Sequence, residues 1–461
     1  MTAATAGIAL HRLVASPLIA LVGVALLIAT PAIAQEPTRV MNLGDALGLA
    51  RDLNPAYLRA VAQADASGAN VRANFGAFLP NLNANLSWNG SSRTTLTGED
   101  DFGRPVELPD PFTFRSSSSS QGLSSQLTLF DGLQNINNLK AAEAGRDAAD
   151  EGVDYQATFV DAEIARRFFA ALQARRQIDV EEQLLEVSRQ QLDATQRLFR
   201  VAARSEVDVL GAQANLAQAE QQLEAAMASE RRALLQLAEQ IGLEDGVAFE
   251  VEGTLPPVFD PSSLNVDSLV VWAMAENPRV GQAAANASEA RYSAKAARGS
   301  RWPVLSARAS FGRSVSLSSY DALREINPQN RSFSFGIDLQ IPLFTRFQTS
   351  RAVAQATANE RVARENLRES QLQLEREVRS GYIDLSTAHR SLGLAQQRVD
   401  FSRRRLAMAQ EQYQLGTIDF TNFQQVVTQA SNDARSLISA ELEFARATVT
   451  LEEKVGMRVR P

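Results

Sequence analysis

The feature that most constrains this chain is an internal repeat, because one long pattern occurs twice within its 461 residues. The segments that match 223 residues apart are Leu53-Asn54-Pro55 with Glu276-Asn277-Pro278, and Phe78-Leu79-Pro80 with Arg301-Trp302-Pro303. Those that match 214 residues apart are Leu129-Phe130 with Leu343-Phe344, Phe199 with Tyr413, and Ile241-Gly242 with Val455-Gly456. Each copy has about 190 residues, far more than one unit of a solenoid. The repeat therefore indicates a duplicated half of one subunit.

The two offsets also locate an insertion. Because 223 exceeds 214 by nine, nine extra residues fall in the first copy, between Gly90 and Ser120. This stretch is polar and rich in Ser and Pro, so we expect an exposed loop there. The resulting divisions are a first repeat at 35–242, a linker at 243–265, a second repeat at 266–456 and a C-terminal tail at 457–461.

The N-terminus has the pattern of a secretory signal. Arg12 precedes an apolar run from Leu18 to Ile28, and the small-residue site Ala32-Ile33-Ala34 follows. This order of features predicts cleavage after Ala34, so that residues 1–34 are a signal peptide. A transmembrane anchor is the alternative, but the run is short for a bilayer and no basic stop follows it. We therefore expect export from the cytoplasm.

Within each copy the hydrophobic period changes from helical to alternating. Residues 44–77 and 267–300 are Ala-rich with a helical pattern, and an early Asn-Pro breaks or kinks each helix. Alternation then predicts β-hairpins at 81–130 and 304–343, with strands of about ten residues. Alternation alone favours a transmembrane barrel and a soluble hairpin equally. Long polar loops at one end, with helices and aromatic residues at the other, favour the membrane.

Each copy ends in a long helical hairpin, predicted at 134–241 and 348–455, because neither segment contains a proline. Apolar residues at heptad spacing are Ile178, Leu185, Leu192 and Phe199 in the first copy, and Leu392, Val399, Leu406 and Tyr413 in the second. This spacing predicts a coiled-coil seam. Two copies also give four strands, which cannot close a barrel alone. A dimer would supply eight strands and a trimer twelve, and the heptads do not choose between them.

Composition and charge argue against several function classes. Without residues 1–34 the chain has 45 basic and 53 acidic residues, a net charge of −8, which argues against a nucleic-acid partner. It has no cysteine, and its two histidines are His11 and His389. No catalytic triad, phosphate loop or metal-ligand spacing is present, so we expect no enzyme, metal or cofactor. We interpret Glu181-Glu182 and Arg403-Arg404-Arg405 as solvated helical surface.

The hairpin tips carry the most specific motif. In the second copy the segment Tyr413-Gln414-Leu415-Gly416 is followed by Asn422, six residues after the glycine. In the first copy Phe199 is followed by Asp208 at the same spacing. Two such tips at a fixed offset resemble the TolC-like outer-membrane efflux protein family, the outer-membrane components of tripartite efflux and type I secretion systems. The resemblance covers nearly the whole mature chain.

This resemblance implies a mainly α fold with membrane β structure. Three internally duplicated subunits would form a 12-strand β-barrel in the outer membrane, continued into the periplasm by a 12-helix α-barrel of coiled-coil hairpins. The implied function is a passive exit duct for substrates exported by an inner-membrane pump. The implied partners are a homotrimer, a periplasmic adaptor protein, an inner-membrane transporter and outer-membrane lipid. The alternative is a soluble periplasmic coiled-coil scaffold.

The resemblance also implies functional residues. Those of the periplasmic entrance or gate are Asp208, Tyr413, Gly416, Asn422 and Gln425, and those expected to line the channel are Arg308, Asp338 and Gln340. By analogy, Tyr413 and Asp208 would hold neighbouring hairpins together in a closed state, unless both are surface residues satisfied by water. Relatives carry acidic residues where this chain has the amides Asn422 and Gln425. We therefore expect only weak block by multivalent cations.

Overall fold

The computed structural model describes residues 39–99, 101–244, 249–324, 326 and 329–459. The predicted signal peptide at 1–34 lies outside these residues, as do parts of the predicted linker and tail. The first copy contains β1 (Arg39–Met41), α1 (Leu43–Leu53), α2 (Pro55–Gly76), β2 (Asn81–Glu99), β3 (Pro105–Phe130), α3 (Gln134–Arg200) and α4 (Glu206–Ile241). The second contains β4 (Phe249–Val251), α5 (Val266–Glu276), α6 (Pro278–Gly299), β5 (Val304–Leu317), β6 (Asn330–Gln340), α7 (Gln348–Gln414) and α8 (Phe420–Val455).

The Asn-Pro pair separates the first two helices of each copy in the same way. The Asn54 side chain accepts hydrogen bonds from the backbone N–H groups of Ala56 and Tyr57, at 2.9 and 3.0 Å, and so caps α2. Its amide also donates to the Gln240 carbonyl at the end of α4, at 2.6 Å. Asn277 caps α6 and donates to the Lys454 carbonyl of α8 at 2.9 Å. One side chain in each copy therefore joins the short helices to the long hairpin.

The long helices account for most of the molecule's length. α3 and α7 have 67 residues each, and α4 and α8 have 36 each. At about 1.5 Å per residue, α3 and α7 are each about 100 Å long. The four helices lie side by side in the order α4–α3–α8–α7, so α4 and α7 form the two edges of the layer. None of the helices within the described ranges is long and apolar enough to cross a membrane.

Two apolar cores hold this layer to the short helices. The first contains Phe168 and Ile164 of α3, Leu237 of α4 and residues of α1 and α8, and it also takes in Met41 of β1. The second joins α5, α6, α7 and α8. β1 and β4 pair in parallel next to the first core, through Arg39–Met41 and Phe249–Val251. The first core draws on both copies and so joins the two repeats, whereas the second is built from residues 259–459.

The other four strands form one antiparallel sheet in the order β2–β3–β5–β6, and β2 and β6 are its open edges. The register places alternate residues on one face, and the large apolar residues among these include Leu82, Leu86, Trp88, Leu123, Phe311, Phe333, Phe335, Ile337 and Leu339. Ser, Asn, Arg308, Asp338 and Gln340 occupy the opposite, polar face. The mainly helical fold class with a two-faced sheet is confirmed.

The expected loop between Gly90 and Ser120 is wrong for most of its length. β2 continues to Glu99 and β3 begins at Pro105, so these strands have 19 and 26 residues rather than about ten. Hydroxyl pairs cross the two strands, with oxygen separations of 2.7 Å for Ser87 and Ser120 and 2.8 Å for Ser91 and Ser116. Cross-strand Ser and Thr pairs stabilise a ladder without any apolar alternation, which is why the polar sequence concealed the strands.

Candidate functional site

The two hairpin tips have nearly the same backbone. In the second copy Gly416 ends α7 with φ +72°, and the Thr417 N–H donates to the Gln412 carbonyl at 2.9 Å. In the first copy Ala202 occupies the equivalent position with φ +58°, and the Ala203 N–H donates to the Leu198 carbonyl at 2.9 Å. A left-handed residue at this point closes the helix end, and glycine does so without steric cost.

The return helices α4 and α8 begin with N-caps in which the acidic residue has different positions. It lies three residues after the cap in α4 and is the cap itself in α8. In the first tip the Ser205 side chain accepts from the Asp208 N–H at 3.2 Å, and the Asp208 carboxylate accepts from the Ser205 N–H at 3.1 Å. In the second tip Asp419 is the cap, and its carboxylate accepts from both the N–H and the side-chain amide of Asn422, each at 2.7 Å. Both carboxylates lie at a helix N-terminus, where negative charge is stabilised. Gln425 is exposed one turn further along.

Tyr413 is the centre of a small core between the hairpins. Its side chain is 1% exposed, and its ring stacks on Phe423 with centroids 4.6 Å apart and an interplanar angle of 11°. The Tyr413 hydroxyl lies 2.7 Å from the hydroxyl of Thr195, a fully buried residue of α3. Phe420 packs over Gly211 of α4, where a Cβ atom would lie 2.9 Å from the ring. The second tip thus supplies aromatic rings, and the first supplies small and hydroxyl side chains.

Arg204 connects the two tips directly. It belongs to the first tip, and its guanidinium carbon lies 4.8 Å from the centroid of the Tyr413 ring in the second. Its guanidinium also donates to the carbonyl of Ile418 in the second tip. Arg204 and Ile418 are equivalent positions, 214 residues apart. A cation on an aromatic face and a charge-assisted hydrogen bond both attract, so Arg204 clamps one tip to the other.

Farther from the tip, polar pairs continue along the contact of α8 with α3 and α4. The side chains of Gln191 and Asn215 both donate to the Gln424 side chain, at 3.1 and 2.8 Å. The Arg435 guanidinium binds both carboxylate oxygens of Glu181, at 2.8 and 2.7 Å. These hydrogen bonds raise the pKa of Arg435 above its ordinary value, although its partial burial acts in the opposite direction. The hairpins therefore meet through polar contacts as well as apolar ones.

The assignment of Glu181 to solvated surface is wrong, because Glu181 is 3% exposed. The neighbouring Glu182 is exposed, as expected. The sequence analysis also missed Thr195, Arg204 and Arg435. A signal existed for Glu181 and Thr195, because they follow the heptad residues Ile178 and Leu192 by three positions, at buried seam positions where small or apolar side chains are usual. The Arg204 contact has no such sequence signal.

The predicted gate residues lie at the tips, but they are not all in contact. In this chain the Tyr413 hydroxyl faces Thr195, whereas the Asp208 carboxylate caps its own helix. Gly416 is exposed at the turn, and the Asn422 amide is held by Asp419. The proposed Tyr413–Asp208 link would therefore require a rearrangement or a second chain.

The predicted channel-lining residues share the polar face of the sheet. Arg308 and Asp338 form an ion pair between β5 and β6. Gln340 is exposed at the end of β6 that lies nearest the helices. At the tips and on the polar face of the sheet, the side chains can form hydrogen bonds and ion pairs. Within the described ranges, no group of three or more His, Asp or Glu side chains is arranged to hold a metal ion.

Comparisons with known proteins match this architecture along most of the chain. A sequence family described as "Outer membrane efflux protein" matches residues 46–243 and 269–457. "Alkaline protease secretion protein AprF" of Pseudomonas aeruginosa is 26% identical over 438 residues, which cover 92% of this chain and 86% of that protein. "Outer membrane efflux protein BepC" of Brucella suis biovar 1 is 23% identical over 357 residues, which cover 75% of this chain and 74% of that protein.

A solved structure shows the same fold. The CmeC outer membrane channel of Campylobacter jejuni superposes with a TM-score of 0.74, at 16% identity, over 91% of this chain and 87% of that chain. At this level of identity the similarity concerns the fold alone.

Proposed function

Because this chain belongs to the outer membrane efflux protein family, we propose that it is the subunit of a passive export duct. The protein is an outer-membrane channel component that extends into the periplasm. Membership of this family favours the channel over the soluble periplasmic scaffold. The duct acts by providing a path and carries out no chemistry, so we do not expect enzymatic activity.

The observation that carries the proposal is the two-faced sheet joined directly to the helical hairpins. Phe335 and Ile337 on its apolar face are 82% and 71% exposed in the single chain. An apolar surface of this kind requires lipid or a protein partner. The opposite face carries the Arg308–Asp338 pair and many hydroxyl groups, which suit a water-filled lumen. Arg308, Asp338 and Gln340 would then line the channel.

Assembly as a homotrimer would close the sheet and leave a lumen. The edges β2 and β6 present unpaired backbone groups, which are costly in lipid. Two chains would supply eight strands, and the interior of an eight-stranded barrel is filled by its own side chains. Three chains would supply twelve strands and a wider interior. A duct for substrates therefore favours three copies.

The helical edges are complementary in the way a subunit interface requires. On α7 the residues Leu394, Phe401 and Met408, followed by Leu415 just beyond its end, recur every seven positions, and each is more than half exposed. On the other edge, α4 presents exposed small residues such as Ala214. Large side chains at heptad spacing pack into gaps between small ones. We propose that α7 of one copy packs against α4 of the next.

The partners follow from the family and from the position of the tips. We propose that the tips, with Asp208, Tyr413, Gly416, Asn422 and Gln425, form the periplasmic entrance and its gate. A periplasmic adaptor protein and an inner-membrane transporter would deliver substrates there. AprF is named for alkaline protease secretion and BepC for efflux, so both classes of cargo are represented among the relatives.

Localisation and conductance test the function. We expect the protein in the sarkosyl-insoluble outer-membrane fraction, with heat-modifiable migration on gels. Purified protein in planar bilayers should give ion channels of uniform conductance. A chain that extracts as soluble protein and never conducts would contradict the proposal.

Subunit arrangement can be tested separately, because the chain has no native cysteine. Ala214 and Met408 lie eight residues after the start of α4 and six before the end of α7, so they are at similar heights above the tips. Ala214→Cys combined with Met408→Cys should give a disulfide-linked trimer after oxidation. Each single cysteine variant is the control and should remain unlinked. A linked dimer as the largest product would exclude the trimer.

A further inference from the structure

The polar face of the four-stranded sheet is built almost entirely from short, neutral side chains. In the rows that begin at Asn83, Asn85, Ser87 and Asn89 of β2, every residue that the register places on this face is serine, asparagine or glycine. Hydroxyl groups in these rows bond to one another across the strands, as those of Ser87 and Ser120 do at 2.7 Å. This wall can therefore form hydrogen bonds, but it carries no charge.

One ion pair interrupts the neutral face near the helical end of the sheet. Arg308 of β5 lies opposite Gly336, and Asp338 of β6 lies opposite Ser306, so the two charged residues occupy neighbouring rows. The Arg308 guanidinium binds both carboxylate oxygens of Asp338. A bidentate contact of this kind holds both groups in a fixed orientation. The positive and the negative charge therefore offset each other within one chain.

The pair has no other charged neighbour along the polar face of the described strands. The next charge on this face is Arg93, twelve positions after Asn81, which lies in the same row as Arg308. At about 3.3 Å per residue the separation is about 40 Å. Charges in water are largely screened beyond about 8 Å at physiological ionic strength. The electrostatic potential near Arg308 therefore depends mainly on its contact with Asp338.

The proposed trimer would place three copies of this pair around one lumen. Twelve strands spaced by about 4.8 Å and tilted by about 40° enclose a ring about 24 Å across. Rings of unpaired acidic or basic side chains give channels a preference for cations or anions. In this ring each arginine is already paired with an aspartate of the same chain.

We infer that the contact between Arg308 and Asp338 keeps the exit lumen electrically neutral, so that the barrel accepts polar cargo of either charge. The two residues thus determine the charge specificity of the exit. This inference rests on the proposed function, because the polar face surrounds a lumen only in a closed barrel. It predicts that removing either partner converts a neutral exit into a charge-selective one.

A cysteine at position 336 can report the local potential. The chain has no native cysteine, and a Cβ atom at Gly336 would have no neighbour within 4 Å. Gly336→Cys is treated from outside the cell with a cationic or an anionic methanethiosulfonate of similar size. Each rate is divided by that of free mercaptoethanol in the same buffer. We expect the two relative rates to agree within about twofold, because a neutral lumen attracts neither reagent. A difference of more than about fivefold would overturn the inference.

Single variants should then produce opposite preferences. In the Gly336→Cys background, Arg308→Gln should favour the cationic reagent and Asp338→Asn the anionic one. One unit charge at about 7 Å in water should change the ratio of the two rates about fivefold at low ionic strength. The double variant Arg308→Gln with Asp338→Asn should restore the parent ratio. Parent-like ratios in both single variants would overturn the inference.

The matched control is Arg331→Gln, which removes an exposed β6 arginine from the opposite face of the sheet and should leave the ratio within twofold. If a single variant fails to assemble, salt provides the test. The Gly336→Cys ratio should be the same at 10 mM and 1 M salt, because screening acts only on a net charge. A salt-dependent ratio would overturn the inference while the lumen itself stands.

Failure of the proposed function would look different. In that case neither reagent would label Gly336→Cys in intact cells, although both would label the denatured protein. The polar face would then surround no lumen, and the inference would fall with the channel.

Discussion

The two hairpin tips share a backbone and differ in chemistry. Tyr413 of the second tip is 1% exposed, whereas its equivalent Phe199 in the first tip is 44% exposed. Gly416 corresponds to Ala202, and Ile418 corresponds to Arg204. The turns and the positions of the helix N-caps are nevertheless equivalent in the two tips. Duplication has therefore preserved the local fold while the two copies have taken complementary roles in one contact.

The difference in side chains between the two tips explains how the contact between the hairpins is made. The second tip contributes the rings of Tyr413, Phe420 and Phe423, and the first contributes Thr195 and the Arg204 clamp. Two identical tips could not do this, since two sets of bulky rings would collide and two sets of small residues would leave a cavity. The asymmetry can be tested by changing equivalent positions in the two copies.

The largest difference in stability is expected between the variants Tyr413→Ala and Phe199→Ala. Removing the buried Tyr413 ring should destabilise the tip by about 3–5 kcal/mol, because it empties the small core. Removing Phe199 should cost less than about 1 kcal/mol in the same assay, since it is already half exposed. Hydrogen–deuterium exchange of amides 405–424 measures this, and about 3 kcal/mol corresponds to an increase of more than a hundredfold.

Tyr413→Phe refines this test, because it removes only the hydroxyl that faces Thr195. We expect a loss of about 1 kcal/mol, the value of one hydrogen bond. Similar exchange rates in Tyr413→Ala and Phe199→Ala would show that the two tips are energetically equivalent, contrary to the comparison.

The next largest effect is expected at the ion pair between the copies. Glu181→Ala should destabilise the contact of α3 with α8 by about 2–3 kcal/mol, because it leaves the partly buried Arg435 without its carboxylate. The matched control is Glu182→Ala, the exposed neighbour, which should change stability by less than about 0.5 kcal/mol. Exchange of amides 177–185 and 431–439 reports both effects. Equal exchange rates in the two variants would mean that the ion pair between Glu181 and Arg435 adds no stability to this contact.

A smaller effect is expected for the clamp. Arg204→Ile removes the contact with the Tyr413 ring and the hydrogen bond to Ile418, which together are worth about 1–2 kcal/mol at a partly exposed site. Exchange at the tip should rise about tenfold. If the clamp also holds the entrance closed, the open probability in planar bilayers should rise.

The control for the clamp is Arg200→Ile, an exposed arginine at the end of α3 in the same tip, which should leave both measurements within twofold. Arg204→Lys should give an intermediate result, since the charge remains but the planar group is lost. An Arg204→Ile variant with exchange and conductance like the parent would show that the clamp has no role.

The sequence was sufficient to predict the fold class and the family, but it was not sufficient to predict the contact between the two copies. The repeat, the change of period and the heptads all arise from local spacing along one segment, so they can be read from the chain. The pairing of Glu181 with Arg435 joins residues 254 positions apart and depends on which faces of two helices meet. Heptad spacing indicates that one face of a helix is buried, but it does not indicate which residues pack against that face. The Ser-rich strands were missed for a related reason, because their partners are hydroxyl groups across the sheet.

The smallest change in stability is expected at the turns of the two tips, and it should have opposite signs in the two copies. Gly416→Ala places a Cβ atom on a residue with φ +72° and should destabilise the second tip by about 1 kcal/mol. Ala202→Gly removes that strain at φ +58° and should stabilise the first tip by up to about 1 kcal/mol, reduced by the extra entropy that glycine gives the unfolded chain. Exchange of amides 410–420 and 196–206 should therefore accelerate in the first variant and slow in the second. A change of the same sign in both would mean that the turns carry different strain despite their similar angles, and that the two copies differ in backbone as well as in side chains.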